Sequence, residues 1–148
     1  MAFYGGSSQS IMQTCIKTAD QVINNSNTLT DDTELQFEVK AGETYWLESQ
    51  LYITTGSTPD FKYNFDCPAG SAGWFAHRWP TGYKKSEAFG TPVVVLSTEL
   101  SSAYWHRWDG FIKAGADGKV KLQWAQDTAD ASDTKLLAGS FIIVTKVG

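Results

Sequence analysis

Lys119-Val120-Lys121-Leu122-Gln123-Trp124-Ala125-Gln126, a polar run from Asp127 to Asp133, and Lys135-Leu136-Leu137-Ala138-Gly139-Ser140-Phe141-Ile142-Ile143-Val144 decide the fold class. Val120, Leu122 and Trp124 alternate with Lys119, Lys121 and Gln123, which is the period of a pleated strand with one face buried. The stretch reads as two extended segments joined by a small polar loop, a hairpin. The sequence ends at Gly148, just after the last apolar residue, so its final strand is expected to be tied into a sheet.

Upstream the same period recurs. Leu35, Phe37 and Val39 share one face of Glu34 to Lys40. Tyr45, Leu47, Leu51 and Ile53 share one face of Thr44 to Thr54, with Trp46, Glu48, Gln50 and Tyr52 on the other. Phe61, Tyr63, Phe65 and Cys67 point inward from Asp60 to Cys67. Three such strands with short loops predict an antiparallel meander. Thr14 to Ile23 is a short extended segment, and Ala72 to Pro80 carries Trp74, Phe75 and Trp79. Pro92 to Thr98, which holds Val93, Val94, Val95 and Leu96, reads as a short strand buried on both sides. Tyr104 to Ala114 is another strand, with Gly110 as a bulge or bend.

About nine strands with turns every 8–12 residues and no convincing helix predict an all-β domain over residues 14–148. The expected architecture is a two-sheet antiparallel sandwich of jelly-roll type, with an up-and-down barrel as the alternative. Residues 1–13, rich in Gly, Ser and Gln around Phe3 and Tyr4, predict a flexible N-terminal arm.

The 148 residues suit one domain with a sizeable core. Aromatic residues are plentiful at 14% and charged ones scarce at 19%, as suits pleated faces and turns. A net charge of −4 argues against a nucleic-acid partner. No apolar run is long enough to cross a bilayer, and the first residues lack the pattern of a signal peptide, so the expected site of assembly is a cytoplasm. Cys15 and Cys67 are expected as free thiols, Cys67 as a small core residue.

Assembled chemistry is not legible. His77 and His106 are the only histidines and stand in no ligand cluster; each reads as a polar strand position rather than a metal ligand. Asp31, Asp32 and Glu34 read as a solvated turn. Asp127, Asp130 and Asp133 lack the spacing of a calcium loop. The expectation is a protein that is not an enzyme, with no cofactor and no metal. The remaining lead is the aromatic surplus, since exposed rings fill interfaces or stack on sugars. Phe3, Tyr4, Trp46, Tyr52, Trp74, Trp79 and Trp105 are the candidate interface residues.

Three segments carry a resemblance: the Thr58-Pro59-Asp60-Phe61-Lys62 turn into a strand, Leu122-Gln123-Trp124-Ala125-Gln126, and Leu137-Ala138-Gly139-Ser140. Over roughly residues 17–148, apart from 72–112, the chain resembles small β-sandwich virion proteins of tailed bacteriophages, either capsid decoration (cement) proteins or minor tail protein domains. The resemblance implies a jelly-roll-like homotrimer on the capsid surface that clamps the major capsid protein and assembles in the host cytoplasm. The alternative is a tail-associated module that binds a receptor or glycan.

Overall fold

The structure is a computed structural model that describes residues 11–79, 82–95 and 103–148; the side chains of residues 78, 79 and 82–87 also lie outside the description. Phe3 and Tyr4, with most of the expected arm, therefore fall outside the described residues. Twelve strands and no helix occur among those described, against the nine or so expected.

Eight strands define the architecture: β3 (Thr30–Val39), β4 (Thr44–Thr54), β5 (Phe61–Asp66), β6 (Ala72–Trp79), β7 (Gly82–Ala88), β8 (Val93–Val95), β9 (Tyr104–Lys113) and β10 (Gly118–Gln126). They pair as nested antiparallel partners, β3 with β10, β4 with β9, β5 with β8 and β6 with β7. Rolling that long hairpin brings β10 against β5 and β9 against β6. The result is one sheet in the order β3-β10-β5-β8 and a second containing β4-β9-β6-β7. This is the jelly roll, two Greek keys closed face to face.

Four further strands widen the second sheet. β12 (Phe141–Lys146) pairs with the free side of β4, and β1 (Met12–Ile16) with β12. β11 (Thr134–Leu136) bridges the end of β4 to β2 (Gln21–Ile23). The strand β1 begins at Met12, so the last two residues of the expected arm belong to the sheet. Its inward side chains also cover the edge of β3: Gln13 donates to the Glu38 carbonyl and the Cys15 thiol to the Gln36 carbonyl, both at 3.0 Å. An open strand edge is a template for unwanted pairing, and here it is bridged.

The alternation read from sequence holds along β4, where Tyr45, Leu47, Leu51 and Ile53 are buried. The meander does not hold. β3 and β5 lie in one sheet and β4 in the other, because periodicity reports which face of a strand is apolar and not which neighbour it hydrogen-bonds. The crossing from β3 to β4 is a tight turn at Gly42, whose φ of 79° is a left-handed conformation that favours glycine. The Asp117 carboxylate accepts from Ala41 N at 2.9 Å and holds the turn from the β9–β10 side.

Likewise the closing stretch is no hairpin: β10 belongs to the small sheet and β11 and β12 to the large one. The polar run 127–133 crosses between layers and is organised by the buried Gln126. Its side-chain oxygen accepts from Ser26 N and Asp130 N, and its amide donates to the Ser132 carbonyl.

Two smaller expectations also fail. β8 is an edge strand with Val94 facing solvent, because among the described residues only β5 pairs with it. Gly110 sits in regular pairing with Leu47 and Phe75 and makes no bulge. A Cβ there would lie 2.4 Å from the Trp74 carbonyl oxygen and 2.7 Å from Phe75 Cβ, so glycine permits the close approach of β9 to β6.

The core lies between the layers. Trp108 and Trp124 are fully buried, with Phe61, Tyr63, Phe65 and Phe75 around them. Phe65 meets Trp108 edge-on at 4.8 Å and Phe61 stacks on Trp124 at 5.4 Å, geometries favoured by the ring quadrupole. Cys15 and Cys67 are both free; Cys67 is half-buried against the core, and burial, aided by the Asp66 charge, pushes its thiol up to about 12.

Candidate functional site

The two outer faces of the sandwich differ in chemistry. On the small sheet, the outward positions of β3, β5 and β10 are charged and mutually paired. Lys121 lies 2.9 Å from Asp31 and 3.5 Å from Asp66, and Lys119 is 3.7 Å from Glu38. Gln123 donates to Asp31 at 2.7 Å; that bond, then the one from Lys121, holds the Asp31 carboxyl below its ordinary range. This is a solvated face with its charges matched.

The outer face of the large sheet carries the aromatic surplus. The period of two turns Trp46 and Tyr52 outward from β4, Trp105 and Phe111 from β9, and Trp74 from β6. Register then places Trp46 beside Phe111 and Phe111 beside Trp74, a row across three strands. Trp46 and Trp74 meet edge-on with centroids 6.4 Å apart, and Trp74 and Phe111 at 5.3 Å. Trp74 is 39% exposed.

Farther along the same strands, Tyr52 stacks on Trp105 at 4.2 Å with the planes 16° apart. Trp105 is 44% exposed. Between the two groups run the rungs Glu48–Asp109 and Gln50–Arg107. A shallow depression there, about 160 Å³, is lined by Glu48, Ser49, Gln50, Arg107, Phe141 and Ile143. Beyond β12, the β1 residues Met12 and Ile16 are exposed by 66% and 55%.

Of the sequence-derived candidates, the fold thus brings Trp46, Tyr52, Trp74 and Trp105 onto one face, in two clusters. The Trp79 side chain, with Phe3 and Tyr4, lies outside the description.

Sequence reasoning missed a second constellation. Inside the sandwich, Tyr63 Oη lies 2.8 Å from His77 Nδ1 and 2.9 Å from His106 Nε2, and the two ring nitrogens are 3.1 Å apart. All three side chains are buried. They come from β5, β6 and β9, so both sheets contribute. The Tyr63 hydroxyl can donate to one imidazole and accept from the other. Burial, reinforced by the neighbouring His77, lowers the His106 pKa to about 3, so His106 is neutral at pH 7.

The histidines are strand positions, as expected, and both face inward. The signal was present: His77 is in phase with Phe75, and His106 with Trp108 and Ile112. Among the described residues no three His, Cys, Asp or Glu side chains form a metal-binding group.

Asp32 is a further correction. It is fully buried and paired with Lys17 instead of keeping a turn solvated.

No family model matches the chain. No curated protein matches it either. Solved structures that overlap it include that of the infectious bursal disease virus Gt strain, at 10% identity and a TM-score of 0.27 over 94% of this chain and 38% of that one. The VP2 subviral particle of the same virus overlaps at 9% identity and 0.26, over 94% and 40%. T=1 particles derived from that virus give 11% and 0.27, over 94% and 39%. The chain spans about two-fifths of the length of these proteins. So loose an overlap carries no argument about task, and the jelly-roll assignment rests on strand pairing alone.

Proposed function

We propose that the chain is a structural protein of a virion, a capsid decoration (cement) protein that docks through the outer face of its large sheet. The observation that carries this reading is the contrast between the faces. One carries paired charges, Lys121 with Asp31 and Asp66 and Lys119 with Glu38; the other presents Trp74, Trp105, Trp46, Tyr52, Met12 and Ile16. Soluble proteins rarely leave large aromatic patches to water. Trp, Tyr, Phe, Met and Arg are the residues enriched in protein interfaces.

The resemblance of the 58–62, 122–126 and 137–140 segments to bacteriophage virion proteins supplies the partner, the major capsid protein, and a homotrimeric arrangement on the capsid surface. The mechanism is linkage. A protein that binds only the assembled lattice stabilises that lattice by mass action, with no catalytic step. The reading requires no enzyme activity and no nucleic-acid or membrane contact, and it places assembly in the host cytoplasm. Particles purified from the source of this sequence test it: the chain is expected in heads at a fixed ratio to the capsid subunit. Its absence, or its restriction to tails, overturns the assignment.

One observation favours a second reading, a tail-associated glycan-binding module. The Tyr52–Trp105 stack leaves a ring exposed beside Gln50 and Arg107, an aromatic platform with planar hydrogen-bonding groups next to it. Saturable binding to a panel of host-surface glycans, lost in Trp105→Ala, would support it; a panel without signal would dismiss it.

A further inference from the structure

We propose that Tyr63, His77 and His106 bind one divalent first-row transition-metal ion between the two sheets. The chain has two histidines. They stand on different strands, and a ring nitrogen of each ends within 2.9 Å of one tyrosine oxygen. Such convergence of both histidines on a third donor is not needed to fill a core, where Leu or Phe would pack without polar atoms.

The spacing suits coordination. Three donors separated by 2.8, 2.9 and 3.1 Å can each lie about 2.0–2.1 Å from one ion. The angles at the ion are then roughly 90°, so the donors occupy one face of an octahedron. Two neutral imidazoles and one anionic oxygen suit iron, cobalt or zinc.

Binding breaks the Tyr63 O–H bond and forms an Oη–metal bond, and the proton leaves to solvent. The phenolate then offsets half of the ion's charge in the low-dielectric interior. Metal and protons compete for the same three atoms, so affinity rises with pH. Because the donors are enclosed, the ion enters as the sheets close, during folding. This site is independent of the outer-face reading and is tested separately from it.

The full chain is refolded from urea with Co²⁺ or Zn²⁺, and free metal is removed by gel filtration. The expected result is one ion per chain, a visible Co²⁺ spectrum, one proton released per ion at pH 7, and a raised Tm. Tyr63→Phe keeps the ring and removes only the oxygen, and is expected to weaken binding about ten-fold or more. Wild-type chain that refolds without retaining either ion overturns the proposal, as does equal retention by Tyr63→Phe. Should that variant fail to fold, imidazole ¹⁵N shifts of the wild type decide: movement of His77 Nδ1 and His106 Nε2 on adding Zn²⁺ during refolding supports the site, and unmoved resonances overturn it.

Discussion

The Lys17 ammonium lies 2.7 Å from a carboxylate oxygen of Asp32, and both side chains are buried. The other Asp32 oxygen accepts from Glu34 N at 2.9 Å and Leu35 N at 2.8 Å. Those amides belong to an irregularity in β3, where Asp31 to Gln36 spans what only Gln123 to Lys121 spans on β10. The carboxylate therefore caps a bulge while the lysine neutralises it, and the Lys17 backbone ties to Ser140 and Gly139.

Removing one partner leaves the other as an uncompensated buried charge. Lys17→Met is expected to cost about 3–5 kcal/mol in urea unfolding. Replacing both partners with apolar residues is expected to recover only part of that, because the Glu34 and Leu35 amides still lose their acceptor. A loss below about 1 kcal/mol for Lys17→Met, the range of an exposed pair, would contradict the burial of this pair.

The buried His106 makes stability depend on pH. His106 has a folded pKa of about 3 against an ordinary 6.5, so the unfolded chain takes up a proton first as pH falls. Its contribution is intact above about pH 6.5 and is lost progressively down to about pH 3, at about 1.4 kcal/mol per pH unit. With a chelator present, the loss from His106 between pH 7 and 5 is expected to be about 2 kcal/mol. His106→Gln is expected to flatten this part of the profile. An unchanged profile in that variant would mean that His106 is not the group responsible.

Gly110→Ala tests the close approach of β9 and β6. The added methyl meets the Trp74 carbonyl oxygen and Phe75, backbone and core that cannot easily retreat. Overpacking of this kind costs about 1–3 kcal/mol. Gly42→Ala tests a different effect, since nothing lies within 4 Å of its missing Cβ and only its positive φ is strained. Thermal unfolding of the two variants separates steric from backbone cost; a Gly110→Ala Tm equal to wild type would rule out the steric role.

Much of this was legible in sequence, and the limits are physical. Alternation along Thr44–Thr54 told which residues are buried, because side-chain direction has a period of two whatever the neighbouring strand. Strand partners were not legible from that period, so β3, β4 and β5 read as a meander although they alternate between sheets. Asp32 reads as solvated by its residue type, and His106 as no more than a polar strand position, although its phase matches that of the buried Trp108. Their burial depends on Lys17, Tyr63 and His77, partners brought near by topology and not by sequence distance. Outward phase alone turns Trp46 and Tyr52 away from the core, and strand pairing, not legible in sequence, sets Trp74 and Trp105 beside them.

The most direct measurement compares attachment to capsid particles that lack the chain. Trp74→Ala/Trp105→Ala changes two half-exposed rings on the large sheet, and Lys62→Ala/Lys119→Ala changes the charged face of the small one. With both variants shown to be folded, the aromatic variant is expected to lose at least about ten-fold in affinity, the scale of hot-spot truncation, while the lysine variant binds as wild type does. Equal binding by all three, or loss only in the lysine variant, would contradict docking through the large sheet.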